Sequence, residues 1–318
     1  MKKVFSLTLG IFAALMLAVW SSQAMASTAG DGITLGAYAP GQLITTATFN
    51  TTGVDTLVGL TYVGPGTSSA PATIYWAWMD DNSQHLRDGE FTVTSNQYYA
   101  FDLRTQVAND AFYGGKEGYL VFSVENPATL TLATTGTIAA NAFMIEPNSA
   151  VFVPAVPLLA TDYANSGTTP INPMGADTII SAAAAIPQGD TVDMRYWIDP
   201  AFGASTAIKL WSVCDVTAGL WQKGQTLAYT LNVYNTQEQR VSVNLPVNYA
   251  ELNTINAAAI GLPSNYVDGF IRLILPDNAN MPGYTICQSG ETNNMVAVSY
   301  VSSTSMNVTQ TLIGGAFH

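Results

Sequence analysis

Charge is what this sequence has least of. Only 10% of its 318 residues are Asp, Glu, Lys or Arg, with 10 Lys+Arg against 22 Asp+Glu and a formal net charge of −12. Average soluble proteins carry about 25% charged residues. A deficit of cations on this scale excludes binding to a phosphate backbone, which needs clustered Lys and Arg, so nucleic acid is not a partner. With two Cys and two His, the chain is also poor in the side chains that build metal centres and nucleophile–base pairs. It has no Gly-x-Ser-x-Gly elbow, no phosphate-cradling glycine loop and no dinucleotide fingerprint. A hydrophobic content of 48% is ordinary, so the surface must be covered by Thr, Ser, Asn, Gln and Gly. That composition suits an exported β protein.

The N-terminus carries the expected address. Lys2 and Lys3 precede an uninterrupted apolar run at residues 9–20, and Ala24-Met25-Ala26 supplies a small-x-small cleavage site. Residues 1–26 therefore read as a secretory signal peptide. The apolar run falls short of the roughly 20 residues that span a bilayer, so no transmembrane segment is expected in the mature chain. Export places the protein in the extracellular space, at the cell surface or in the periplasm. There the two cysteines, Cys214 and Cys287, are expected to form one disulfide. On the chain-entropy model such a bridge contributes on the order of 4 kcal/mol.

Short β-branched and aromatic runs recur between Gly, Pro, Asn and Asp: residues 57–63 (LVGLTYV), 73–79 (TIYWAWM), 98–103 (YYAFDL), 119–124 (YLVFSV), 208–214 (IKLWSVC), 227–234 (LAYTLNVY) and 295–301 (MVAVSYV). This rhythm predicts an all-β fold of sandwiches or barrels. Asp88-Gly89 reads as a hairpin turn. Ala-rich residues 177–186 and 249–260 are the candidates for short helical turns. The mature length suits two sandwiches better than one. The division expected is 27–164 and 178–318, two tandem Ig-like β-sandwiches, with residues 165–177 (NSGTTPINPMGAD) as linker. An offset of 151 supports a repeat: it lays residues 57–63 on 208–214 and 118–122 on 269–273. The end of the first unit (138–159) and the opening of the second (193–211) resemble a group of uncharacterised secreted bacterial β-rich proteins. That resemblance implies export and an all-β fold, and no activity or site residue.

Three places invite a functional reading. In Ile74-Tyr75-Trp76-Ala77-Trp78-Met79, strand geometry puts Trp76 and Trp78 on one face, either as a platform for stacking sugar rings or as core. The apolar reverse face favours core. Trp197, beside Asp199-Pro200, is a further candidate glycan contact. Asp80, Asp81 and Asn82 offer oxygens to Ca²⁺, although Asp and Asn also form turns at strand ends. His85 and His318 are the only bases for a catalytic triad, and neither stands in a suitable pattern. The expectation is thus a non-catalytic structural, adhesive or matrix-type protein, with partners among extracellular polysaccharides or other surface proteins. The alternatives are a carbohydrate-binding or carbohydrate-active protein and an outer-membrane β-barrel, which strand alternation and acidity also fit.

Overall fold

The computed structural model describes residues 37–81, 84–126, 131–132, 136–146, 149–158, 163–165, 178–180, 186–187, 191–214, 226–248, 252–274 and 293–317. The signal peptide, Asn82, Cys287, His318 and nearly all of the expected linker lie outside these residues. The described chain is almost entirely antiparallel strand, as its β-branched and aromatic runs dictate.

Four main sheets form among the described residues. The first orders β5 (Tyr98–Asp102), β2 (Asp55–Val63), β8 (Thr137–Glu146) and β9 (Ser149–Val153). The second orders β10 (Ala155–Leu158), β1 (Gly41–Thr48), β6 (Glu117–Asn126), β3 (Ala72–Asp80) and β4 (His85–Val93), with β7 (Thr131–Leu132) beside β6. A two-stranded ribbon of β11 (Tyr163–Asn165) and β12 (Thr178–Ile180) follows. The third sheet orders β13 (Ile186–Pro187), β20 (Asn293–Ser303), β15 (Ala204–Cys214) and β18 (Leu252–Asn256), with β21 (Val308–Ile313) also on β20. The fourth orders β17 (Arg240–Asn248), β16 (Thr226–Asn235), β19 (Asp268–Ile274), β14 (Thr191–Trp197) and β22 (Gly315–Phe317). The sheets are open, which sets aside the closed outer-membrane barrel.

Three apolar layers hold the sheets together. Ile44, Leu60, Ile74, Trp76, Trp78, Phe101 and Phe122 fill the space between the first and second sheets. Met194, Tyr196, Leu210, Val233 and Leu273 fill that between the third and fourth. A further layer joins the two sandwiches. Leu43, Tyr75, Met79, Tyr119 and Val121 on the back of the second sheet pack against Trp211, Leu252, Val296, Val298 and Tyr300 on the back of the third. The Tyr119 and Trp211 rings meet edge to face at 5.8 Å. Apart from its edge strand β4, the second sheet is consequently buried on both faces, and this is why β3 is a continuous apolar run without polar alternation.

The second sandwich repeats the topology of the first. Matching β1–β6 with β14–β19, and β8–β10 with β20–β22, carries one strand order onto the other. Asp102 and Asn256, ending the equivalent strands β5 and β18, both cap short helical turns. Gly118 and Gly269 are equivalent in detail: a Cβ on either would lie 1.8 Å from the carbonyl oxygen of the neighbouring strand, Met79 O or Tyr234 O. The offset of 151 fits this strand pair but not the other. In β2 it lays outward-facing Leu57 on inward-facing Ile208, so true correspondence there is shifted by one residue, with Gly59 matching Lys209.

One local expectation is corrected. Asp88-Gly89 is not the hairpin turn: Gly89 lies within β4 opposite Trp76. Its Cβ would approach the indole Nε1 to 2.8 Å, so glycine makes room for the Trp76 ring. In the second Ala-rich stretch Leu252–Asn256 is a strand and Ala257–Ala259 forms the short helical turn expected where Ala dominates; in the first, Thr178–Ile180 is a strand and residues 181–185 lie outside the described residues.

Because Trp211 bridges the sandwiches, Trp211→Ala is expected to cost about 3–5 kcal/mol. It should also split one calorimetric unfolding transition into two as the halves uncouple. An unchanged single transition at the wild-type midpoint would show that this layer does not couple them.

Candidate functional site

Trp76 is 2% exposed and Trp78 0%. Trp76 meets Phe101 edge to face at 5.1 Å, and Trp78 packs on Tyr113 at 6.0 Å. Neither indole offers a face to a sugar ring. Trp197 lies on the outward side of β14, half-buried, with its ring tilted on Phe202 at 5.5 Å. Neighbouring Asp199 caps the 3₁₀ turn Pro200–Phe202 by accepting from the Ala201 N–H at 2.9 Å.

Asp80 closes the β3–β4 turn: its Oδ1 accepts from the Gln84 N–H at 2.7 Å, and its own N–H donates to Gln84 O at 2.8 Å. The Asp81 carbonyl accepts from the Leu252 N–H at 3.2 Å, tying that turn to the second sandwich. These contacts give Asp80 and Asp81 structural work at a strand end. His85 contacts Asp88 at 2.8 Å on the edge strand β4. Cys214 ends β15, and its expected partner Cys287 lies outside the described residues.

Two polar sites emerge that sequence patterns did not single out. At the end of the first sheet, Asp55 and Asp102 are neighbours on its outward face. Asp55 is 8% exposed and accepts from the Thr56 N–H at 2.8 Å and the Arg104 N–H at 3.1 Å. Burial and the adjacent Asp102 carboxylate raise its pKa from 3.8 to about 6, against the opposing backbone donors. The Arg104 guanidinium lies 3.7 Å away and also donates to the carbonyls of Asn50 and Val54. Asp102 caps Leu103–Gln106 through the Thr105 N–H at 2.9 Å. This is a polar knot fastening the turn before β2 to the helix after β5.

The other site lies between the sandwiches. Lys209, 8% exposed, is the one charged residue in the apolar centre of β15. It pairs with Glu117 of the second sheet and donates to Thr254 Oγ1 at 2.6 Å. Burial, with the Glu117 charge adding, raises the Tyr300 hydroxyl pKa well above its ordinary range. A cleft of about 250 Å³ opens beside them, with Glu146, Lys209, Tyr300, Ser205, Ser302 and Thr309 among its lining residues. It is smaller than drug-sized pockets of ~300–1,000 Å³. The Ser205 and Ser302 hydroxyls already bond each other at 2.7 Å. A lone lysine inside IKLW was the available sequence signal for this site; nothing local marked Asp55, whose partner lies on another strand.

No family model and no curated protein matches this chain. Among solved structures, a putative beta-galactosidase from Bacteroides fragilis is 12% identical over 89% of this chain and 33% of that one, with a TM-score of 0.16. The chain thus spans about a third of that protein's length. A likeness at this level carries no argument.

Two outcomes are expected. Trp76→Ala should cost about 3–5 kcal/mol, and acrylamide should quench the native indole fluorescence poorly. The Asp55 pKa is raised on folding, so its stabilising contribution is complete below pH 4 and is lost as pH rises through about 6. The loss is on the order of 2–3 kcal/mol. Asp55→Asn, which keeps the Oδ1 acceptor, should melt above wild type at pH 7.5 and with it at pH 3.5. Parallel melting curves across that range would contradict this assignment.

Proposed function

We propose that this chain is an exported, non-catalytic β protein with a structural or adhesive role at the cell surface or in the extracellular matrix. The observation that carries the reading is the fused stack: two sandwiches share a buried apolar layer, with an ion pair set into it. A hinged pair of domains meets through a smaller, more polar contact and moves freely. A shared core instead makes a stiff block, which suits a spacer or scaffold. Edge strands support the same reading. β17 carries Arg240, and β4 carries His85, Arg87, Asp88 and Glu90, charged and polar side chains of the kind that block random edge pairing. The same proposal includes cleavage after Ala26, the Cys214–Cys287 bridge and units at 27–164 and 178–318.

The second reading, carbohydrate binding, is favoured by the hydroxyl-rich cleft beside Lys209 and Tyr300. Its size suits a single small polar ligand rather than a polymer. The two readings separate in one experiment. Cells lacking the protein are compared with wild type for surface attachment and matrix cohesion, while the purified protein is titrated with monosaccharides. Surface location with loss of cohesion supports the scaffold. Retention in the cytoplasm, or turnover of a glycoside substrate, would overturn it.

A further inference from the structure

The repeat creates an asymmetry with a consequence for assembly. The outward face of the third sheet is covered by the second sheet, whereas the equivalent face of the first sheet is open. Strand pairing fixes the equivalence: Tyr98 matches Leu252, and Phe143 matches Tyr300. Leu252 and Tyr300 are 3% and 7% exposed, buried in the shared layer. Tyr98 and Phe143 are 62% and 43% exposed. Leu57, the cross-strand partner of Phe143, and Val63 are 37% and 42% exposed on the same face, so large apolar side chains recur along it among Thr61, Thr137 and Asn141.

At the opposite end of the stack, the outward face of the fourth sheet is the equivalent of the second-sheet face that does the covering. Tyr234 stands where Met79 stands, and Phe270 where Tyr119 stands. These two rings stack at 4.6 Å, and Ile274 beside them is 52% exposed. The two faces also differ in charge. Outward positions of the first sheet carry a partly exposed Asp102, a buried Asp55 already faced by Arg104 at 3.7 Å, and no cation. Those of the fourth carry Arg195, Arg240 and Arg272 against Asp193 and Asp268, and the two aspartates are taken up by Arg272 and Arg195. Exposed Arg240 has no ion pair among the described residues.

We infer that the open face of the first sheet docks the fourth-sheet face of a second copy of this chain, continuing head to tail the packing that already joins its two sandwiches. The contact is heterologous, using different surfaces on the two copies, and because those surfaces lie at opposite ends of the four-sheet stack it propagates as an open-ended stack. This deepens the structural reading above and rests on it, since it supplies the way such a block becomes a matrix.

The test uses two face-blocked variants of the mature protein. Tyr98→Glu/Phe143→Glu blocks the first face, and Arg240→Glu/Ile274→Glu blocks the fourth. All four positions are solvent-facing, and each variant's melting temperature reports that it folds. By sedimentation velocity, wild type should form a concentration-dependent ladder of oligomers, and each variant alone should remain monomeric. An equimolar mixture, with one intact copy of each face, should stop at a 1:1 dimer. Wild type that stays monomeric at millimolar concentration overturns the inference, and a surface location with loss of cohesion would leave the structural reading standing. A closed dimer sensitive only to the first-face variant overturns it in favour of symmetric pairing. Binding of laminarin by monomeric wild type, lost on Tyr98→Glu/Phe143→Glu, would overturn it in favour of a glycan platform.

Discussion

The layer between the second and third sheets governs the rest of this structure. A β-sandwich normally hides one face of each sheet and leaves the other to water, and its strands alternate accordingly. Here the second sheet must hide both faces. Trp76 and Trp78 turn toward the first sheet, while Tyr75 and Met79 on the same strand turn toward Trp211 and Val298 of the other sandwich. Strands β10, β1, β6 and β3 of that sheet are each under two packing constraints at once. Gly89 shows one of them, because the Trp76 indole occupies the place of its side chain. Such a sheet cannot separate from either neighbour without exposing large aromatic surface, so the stack behaves as one body.

Much of this was legible in the residues. A strand reading TIYWAWM has no polar face to give to water, and that alone placed its indoles in a core. The repeat was visible through Gly118 and Gly269, whose need for close strand approach is a backbone constraint and survives divergence of the side chains around them. The same comparison slipped by one residue in β2 and β15, because apolar residues on both faces of β15 remove the alternation that would fix its register. Asp88-Gly89 misled for a related reason. Glycine marks close approach as well as turns, and only the partner strand shows which. What stayed hidden depends on contacts between distant segments: Asp55 with Asp102, and Lys209 with Glu117.

Those two polar sites are instructive because charge is so scarce. A buried lysine in an apolar strand contributes little to stability after its desolvation, and a hydrophobic residue in its place would often serve as well. Its pairing with Glu117 across the layer does something else. Apolar faces of sheets slide past one another at modest cost, whereas a single ion pair with Thr254 as a second acceptor has one satisfied register. The acid pair of Asp55 and Asp102 fixes a different joint, holding the turn before β2 to the helix after β5, at the expense of stability once Asp55 ionises.

A repeat whose units cover one another must end somewhere, and stacked repeats ordinarily end on polar caps. The fourth sheet has moved part of the way toward one. Arg272 replaces the buried Val121 of the second sheet, Asn232 replaces Ala77, and Asp193 and Arg272 pair across the strands at 2.6 Å. The first sheet has not made the equivalent change, since its outward face retains Leu57, Val63, Tyr98 and Phe143 and gains no cation. One end is therefore dressed for water yet keeps two stacked rings, and the other still presents the apolar character of an inner layer. In a solitary block that first face would be a liability for solubility. Its persistence beside carefully guarded edge strands makes physical sense if the face has an occupant, and the fold already contains a worked example of what covers such a face.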